Sequence, residues 1–321
     1  MWQTFGMTRD DAPEPIYLIS PSGPVAPDGR LERALENLRA LGFAPALDTA
    51  AHRRHQRFAG TDAQRAAAFS RAAAQPARTV MITRGGYGLT RLLPRLDYTA
   101  LARAGKRWVG FSDFTAFHLA MLARAKAVTW AGPALLDDFA GESPDAVDEI
   151  TLGTFREATS GALEMLGFRC GGPAGVEARG TLWGGNLAIV CALLGTPWFP
   201  KVDGGILFLE DVNELPYRVE RMLSQLLHAG VIERQSAVLL GRFNGYRLGE
   251  RDHGYDMPAV VKWLRASTRT PVLTGLPFGH AAPKLTLPHG ARVALATEGR
   301  TCWLVLDEHH HHADETPRRR R

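Results

Sequence analysis

Cysteine is scarce in this 321-residue chain: Cys170, Cys191 and Cys302 are odd in number and show no C-x-x-C spacing. That argues against a disulfide framework or a thiolate metal site and leaves reduced, buried thiols as the expectation. No apolar run approaches the roughly 20 residues that span a bilayer, so no membrane partner is expected. Met1 to Pro15 carries Arg9, Asp10, Asp11 and Glu14 without an apolar stretch, and is read as an N-terminal extension rather than a secretory signal. The cytoplasm is the expected compartment. A basic face is missing too. Four of the five net positive charges belong to Arg318, Arg319, Arg320 and Arg321, so the body is nearly neutral and no nucleic-acid partner is expected.

What is present is ordinary globular composition, 45% hydrophobic and 22% charged, in a chain long enough for two domains. Ile16 to Ile19 reads as a buried strand running into the loop Ser20-Pro21-Ser22-Gly23-Pro24. Leu31, Ala34, Leu35, Leu38 and Leu41 then recur at helical spacing up to a stop at Gly42. Further strands are expected at Thr79 to Thr83, ending in Arg84-Gly85-Gly86-Tyr87-Gly88, and at Arg107 to Phe111, ending at Ser112 before the apolar helix Phe114 to Ala123. Strands and helices alternating in this way predict an α/β domain over 16–136, a Rossmann-like or flavodoxin-like doubly wound parallel sheet with functional loops at the strands' C-terminal ends.

Residues 137–173 turn to Asp, Glu, Gly and Pro with one helix expected near Ala146 to Thr159, and are read as a linker. Over 174–308 a second domain is expected, mixed α/β and barrel-like. In it, Gly180 to Gly195 reads as a Gly-Gly turn before an apolar helix. Gly205 to Leu209 and Ala237 to Leu240 read as buried strands, and Ala291 to Ala296 and Thr301 to Leu306 as a strand pair. The tail 309–321, with four histidines and four arginines, has nothing to bury and is expected to be disordered. No metal site is expected there.

Three residues stand out chemically. Ser112 lies at a strand-to-helix junction, which lifts a hydroxyl clear of the sheet beside free backbone N–H groups; the bland alternative is a helix N-cap. Of the seven histidines outside the tail, His52, His55, His118, His228, His253 and His289 read as solvated or structural. His280 follows the apolar segment Leu276-Pro277-Phe278-Gly279 in a loop, a placement that favours function. Glu210 ends the apolar run Ile206 to Leu209 and needs a partner for its charge, either an imidazolium or an arginine such as Arg218 or Arg221.

Six ordered segments resemble one family, the murein tetrapeptide LD-carboxypeptidases. They are Phe58-Ala59-Gly60-Thr61-Asp62, Arg84 to Gly88, Gly110 to Thr115, Gly180 to Leu187, Leu209 to Glu214 and Phe278-Gly279-His280. Two departures are Arg57, where many relatives carry tyrosine, and Phe111, where tyrosine or histidine is common. The resemblance spans roughly Ile16 to Leu306. It implies a serine peptidase with Ser112, Glu210 and His280 as catalytic triad and the acid and base in the C-terminal domain. It also implies release of terminal D-alanine from a muropeptide tetrapeptide during cell-wall recycling, no cofactor, and a homodimer. The backbone N–H of Asp113 and one from Gly85-Gly86, here taken as Gly86, are the expected oxyanion hole. Gly85, Tyr87, Trp183 and Asn186 are the expected substrate-binding residues, with Trp183 read equally well as core. Two alternatives are a relative of the microcin C immunity peptidases, acting on a peptidyl or aminoacyl nucleotide, and a non-catalytic binder of cell-wall peptides.

Overall fold

The computed structural model of the protein describes residues 12–307. The histidine- and arginine-rich tail and most of the N-terminal extension lie outside the described residues. The first half of the chain runs β1 (Glu14–Ile19), α1 (Arg30–Ala40), β2 (Phe43–Leu47), α2 (Asp62–Ala74), β3 (Thr79–Ile82), α3 (Tyr98–Arg103), β4 (Arg107–Gly110), α4 (Thr115–Ala125), β5 (Thr129–Ala131), α5 (Leu135–Asp138) and α6 (Glu149–Ser160). The second half runs β6 (Met165–Arg169), β7 (Glu177–Asn186), α7 (Leu187–Leu193), β8 (Ile206–Val212), α8 (Pro216–His228), β9 (Ala237–Asn244), α9 (Met257–Ser267), β10 (Val272–Thr274), β11 (Leu287–His289), β12 (Arg292–Glu298) and β13 (Thr301–Leu306).

The first sheet has the order β11-β5-β4-β3-β1-β2, parallel throughout except for β11. Every residue of β3 is buried, which is why it reads as an unbroken apolar run: helices cover both faces of a parallel sheet. α1 buries Leu31, Ala34 and Leu38 on one side, and Gly42 at φ 87° ends it where a side chain would be strained.

The second sheet has the order β10-β9-β8-β7-β12-β13-β6. β7 to β10 run parallel, whereas β12, β13 and β6 are antiparallel. The expected barrel is therefore corrected to an open mixed sheet. Among the described residues its two edges are joined by one isolated backbone bridge, between Gly171 and Thr274, so the sheet curls toward closure without a continuous ladder. Gly184 and Gly185, expected in a turn, sit inside β7 at φ 131° and 127°.

The stretch 137–173 holds α6 and β6. Phe155 of α6 packs on Phe43 and Phe139 in the core of the first domain, and β6 is an edge of the second sheet. One hydrophobic core continues from α2 and α4 of the first domain into β7, β8 and α8 of the second. The chain also crosses back, since β11 pairs antiparallel with β5.

Candidate active site

β4 ends at Gly110, and the chain turns sharply into α4 with Ser112 at φ 61°. A left-handed serine costs about 1–2 kcal/mol, a strain held in place by its surroundings. Two glycines beside the turn leave no room for a side chain. A Cβ on Gly110 would lie 2.8 Å from Phe114 and 2.9 Å from Ile82, and one on Gly85 would lie 2.9 Å from Ser112 Cβ and 3.0 Å from its Oγ. Ser112 is not the N-cap of α4: it opens a short 3-10 turn, Ser112–Phe114, and neither Phe111 before that turn nor Phe114 before α4 makes a side-chain cap.

The second domain brings two side chains to this turn. His280 Nε2 lies 3.1 Å from Ser112 Oγ, and His280 Nδ1 lies 2.8 Å from Glu210 Oε2. An ionised carboxylate only accepts, so Nδ1 carries the proton and the Nε2 lone pair faces the serine hydroxyl. Glu210 is fully buried. Of the two partners considered for its charge, the imidazole is the one found, and Arg218 pairs with Glu214 instead.

Local structure explains both placements. In β8 the register to β9 shifts between Leu209 and Asp211, a bulge that re-aims Glu210 at the sheet's C-terminal edge. His280 is fixed by backbone: Arg242 N–H donates to Phe278 O at 2.9 Å and Asn244 Nδ2 to His280 O at 3.3 Å. The ring of Phe111 packs 4.8 Å from the imidazole.

Beside Ser112, Gly23 N–H donates to Gly85 O. A trans peptide points its N–H opposite its carbonyl, so Gly86 N–H turns away from Gly23. The Asp113 side chain is buried; its Oδ2 accepts from Ser22 Oγ at 2.6 Å and Leu89 N–H at 2.9 Å. Burial pushes its carboxyl up to about 6, with those hydrogen bonds opposing. Arg65, also buried, donates to Pro21 O and Gly88 O. Asp113 and Arg65 thus suspend the 21–23 and 85–89 loops around the serine.

Residues 16–132 match the LD-carboxypeptidase N-terminal domain family, and residues 179–295 the LD-carboxypeptidase C-terminal domain family. The chain belongs to the LD-carboxypeptidase family. It is 30% identical over 295 residues to a murein tetrapeptide carboxypeptidase of Pseudomonas aeruginosa, covering 90% of this chain and 94% of that protein. The crystal structure of a muramoyltetrapeptide carboxypeptidase from Oxalobacter formigenes superposes with a TM-score of 0.83 at 41% identity, covering 91% of this chain and 99% of that one. The microcin C7 self-immunity protein MccF of Escherichia coli is 29% identical over 313 residues, covering 87% and 90%.

Within this LD-carboxypeptidase the other expected site residues separate. Gly85 lies against Ser112, and Tyr87 is half exposed at the rim, its ring 5.9 Å from Phe58. Trp183 is core: it is 1% exposed, donates its indole N–H to Gln235 Oε1 and packs edge-on against Phe199. Asn186 is buried and hydrogen-bonded to Glu210 and Asp211. The Phe58 to Asp62 segment is structural, with Thr61 and Gln64 forming the capping box of α2. Sequence reasoning missed a cavity of about 190 Å³ lined by Phe111, Asp137, Asp148, His280 and Lys284 among others. Lys284 is buried there, its Nζ 2.8 Å from Asp138 Oδ2 and over the Phe111 ring. Only its proximity in sequence to His280 hinted at it.

Proposed function

We propose that this enzyme is a serine peptidase that cleaves the bond between an L-centre and a terminal D-alanine of a muropeptide tetrapeptide, in cell-wall recycling. The hydrogen-bonded line from Ser112 through His280 to Glu210 carries this reading. His280 Nε2 takes the hydroxyl proton as Ser112 Oγ attacks the scissile carbonyl, and returns it to the leaving amine of D-alanine. Glu210 holds the imidazole tautomer and offsets the charge that forms on it. Water then repeats the sequence on the acyl-enzyme and releases the tripeptide acid. The N–H groups of Gly86 and Asp113 are the donors assigned to the tetrahedral oxyanion.

A D-residue differs from an L-residue in where its side chain points, so wall shape sets the stereochemical choice rather than the triad. The cavity beside His280 and the exposed Tyr87 are the surfaces placed to contact the peptide. The cytoplasmic setting, expected from the sequence, and the homodimer, implied by the family resemblance, belong to this same proposal. A sedimentation mass that stays monomeric at all concentrations would count against the dimer.

The likeness to MccF favours one further substrate for testing, an aminoacyl or peptidyl sulfamoyl nucleotide. Incubation with a murein tetrapeptide is expected to release free D-alanine and tripeptide, with little turnover of the nucleotide. Efficient nucleotide cleavage without D-alanine release would reverse that order, and binding of either without turnover would make the protein a binder.

A further inference from the structure

Asn186 touches both halves of the site. Its backbone N–H donates to Thr115 Oγ1 at 3.0 Å, and Thr115 opens the helix three residues after Ser112. Its side-chain Nδ2 donates to Glu210 Oε1 at 3.3 Å and to Asp211 Oδ1 at 3.0 Å, while its Oδ1 accepts from Ile189 N–H and caps α7. At 6% exposure, with both side-chain polar atoms engaged inside the protein, it is poorly placed to bind a substrate.

The contact depends on two backbone features. Asn186 is paired with Glu210 in the β7–β8 register. The bulge at Glu210 turns two consecutive carboxylates, 0% and 3% exposed, onto the same amide, although neighbours along a regular strand point to opposite faces. On the other side, a Cβ on Gly185 would lie 2.5 Å from Thr115 Oγ1, so only glycine lets β7 approach α4 this closely. The domain seam is therefore tightest at the point where the helix behind the nucleophile meets the strand beside the acid.

We propose that Asn186 is a positioning residue: through Thr115 on one side and Glu210 on the other, it sets the register between nucleophile and base across the domain seam. The proposal rests on the reading of Ser112, His280 and Glu210 as the catalytic groups. A hydrogen bond to a carboxylate favours its charged form, and a donor between two carboxylates screens their repulsion. Asp211 already feels that repulsion. Burial, with the charge of Glu210 adding to it, holds its carboxyl up to about 6 against the hydrogen bonds it accepts.

Asn186→Ser keeps a cap for α7 and the backbone N–H but removes the amide between the acids. We expect kcat to fall by about tenfold to a hundredfold with KM changed less than about threefold, as for a misplaced catalytic group. Thr115→Val should lower kcat about tenfold, whereas Thr115→Ser, which keeps the acceptor, should stay near wild type; the combined loss in the double variant should be smaller than the product of the two. Wild-type kcat in Asn186→Ser would overturn the proposal, as would equal losses in Thr115→Val and Thr115→Ser. Ser112→Ala separates the two levels. If it stays active, the catalytic reading itself fails; if it is inactive while Asn186→Ser behaves as wild type, only the positioning role fails.

Discussion

The two halves of the site are built differently. On the first domain, position is enforced by exclusion: Ser112 is held at φ 61° and Gly85 and Gly110 have no room for a methyl group. On the second, position is enforced by hydrogen bonds that the Glu210 carboxylate accepts from Asn186 Nδ2 and from His280 Nδ1, on a strand bent by a bulge. The first half should therefore fail when atoms are added. The second should fail when a donor or acceptor is changed at constant size.

The largest effect tests the second half. Glu210→Gln preserves shape but removes the charge that fixes the imidazole tautomer, and kcat is expected to fall by about a thousandfold or more, with thermal stability little changed. Gly85→Ala tests the first half. Its Cβ would press on Ser112, so turnover should drop about a hundredfold; near-wild-type activity would show that the turn is not sterically fixed. Ser22→Ala adds nothing and removes one hydrogen bond to the buried Asp113 carboxylate. That is worth about 1.4 kcal/mol, or tenfold in kcat if the loop carries the oxyanion donor.

The smallest expected effect sharpens the comparison at the seam, where His118 of α4 stacks 5.3 Å from His289 of β11. Both rings are buried, and burial lowers the His118 pKa to about 4 and that of His289 well below its usual value. Between those values and the unfolded value of about 6.5 the unfolded chain binds more protons, so these groups make stability fall as pH falls below 6.5. Asp113 and Asp211, both raised to about 6, act in the opposite direction. Comparing wild type with His289→Leu cancels them. From pH 7.5 to 5 the wild type should lose about 2 kcal/mol more than the variant in urea unfolding; identical slopes would mean that His289 is not held neutral.

Much of the first domain was legible, because a parallel sheet covered on both faces writes itself as apolar runs, and the loops at the ends of such runs are where candidate groups are sought. Placement at strand ends and in a loop made Ser112, Glu210 and His280 candidates, each with a bland alternative, and it was the ordered motifs of the family resemblance that joined them. The cross-domain distances could not, since residues 112, 210 and 280 meet only through tertiary packing. Gly184-Gly185 was misread because glycine serves a turn and a close strand contact equally well; a Cβ on Gly184 would lie 2.0 Å from Phe208 O. Nor did local patterns reveal that β11 returns to the first sheet, because three residues carry too little periodicity. Asn186 and Trp183 share one motif expected to line the pocket, with Trp183 read equally well as core, and only burial and hydrogen bonding separate the amide beside Glu210 from the core indole.

The central claim is that the two halves act as one catalytic unit on Ser112. Single-turnover release of D-alanine from a murein tetrapeptide by wild type and Ser112→Ala, at matched concentration and with folding verified, tests it most directly. The account expects the variant to be slower by about 10⁴-fold or more while still binding the peptide. Residual release within tenfold of wild type would contradict it.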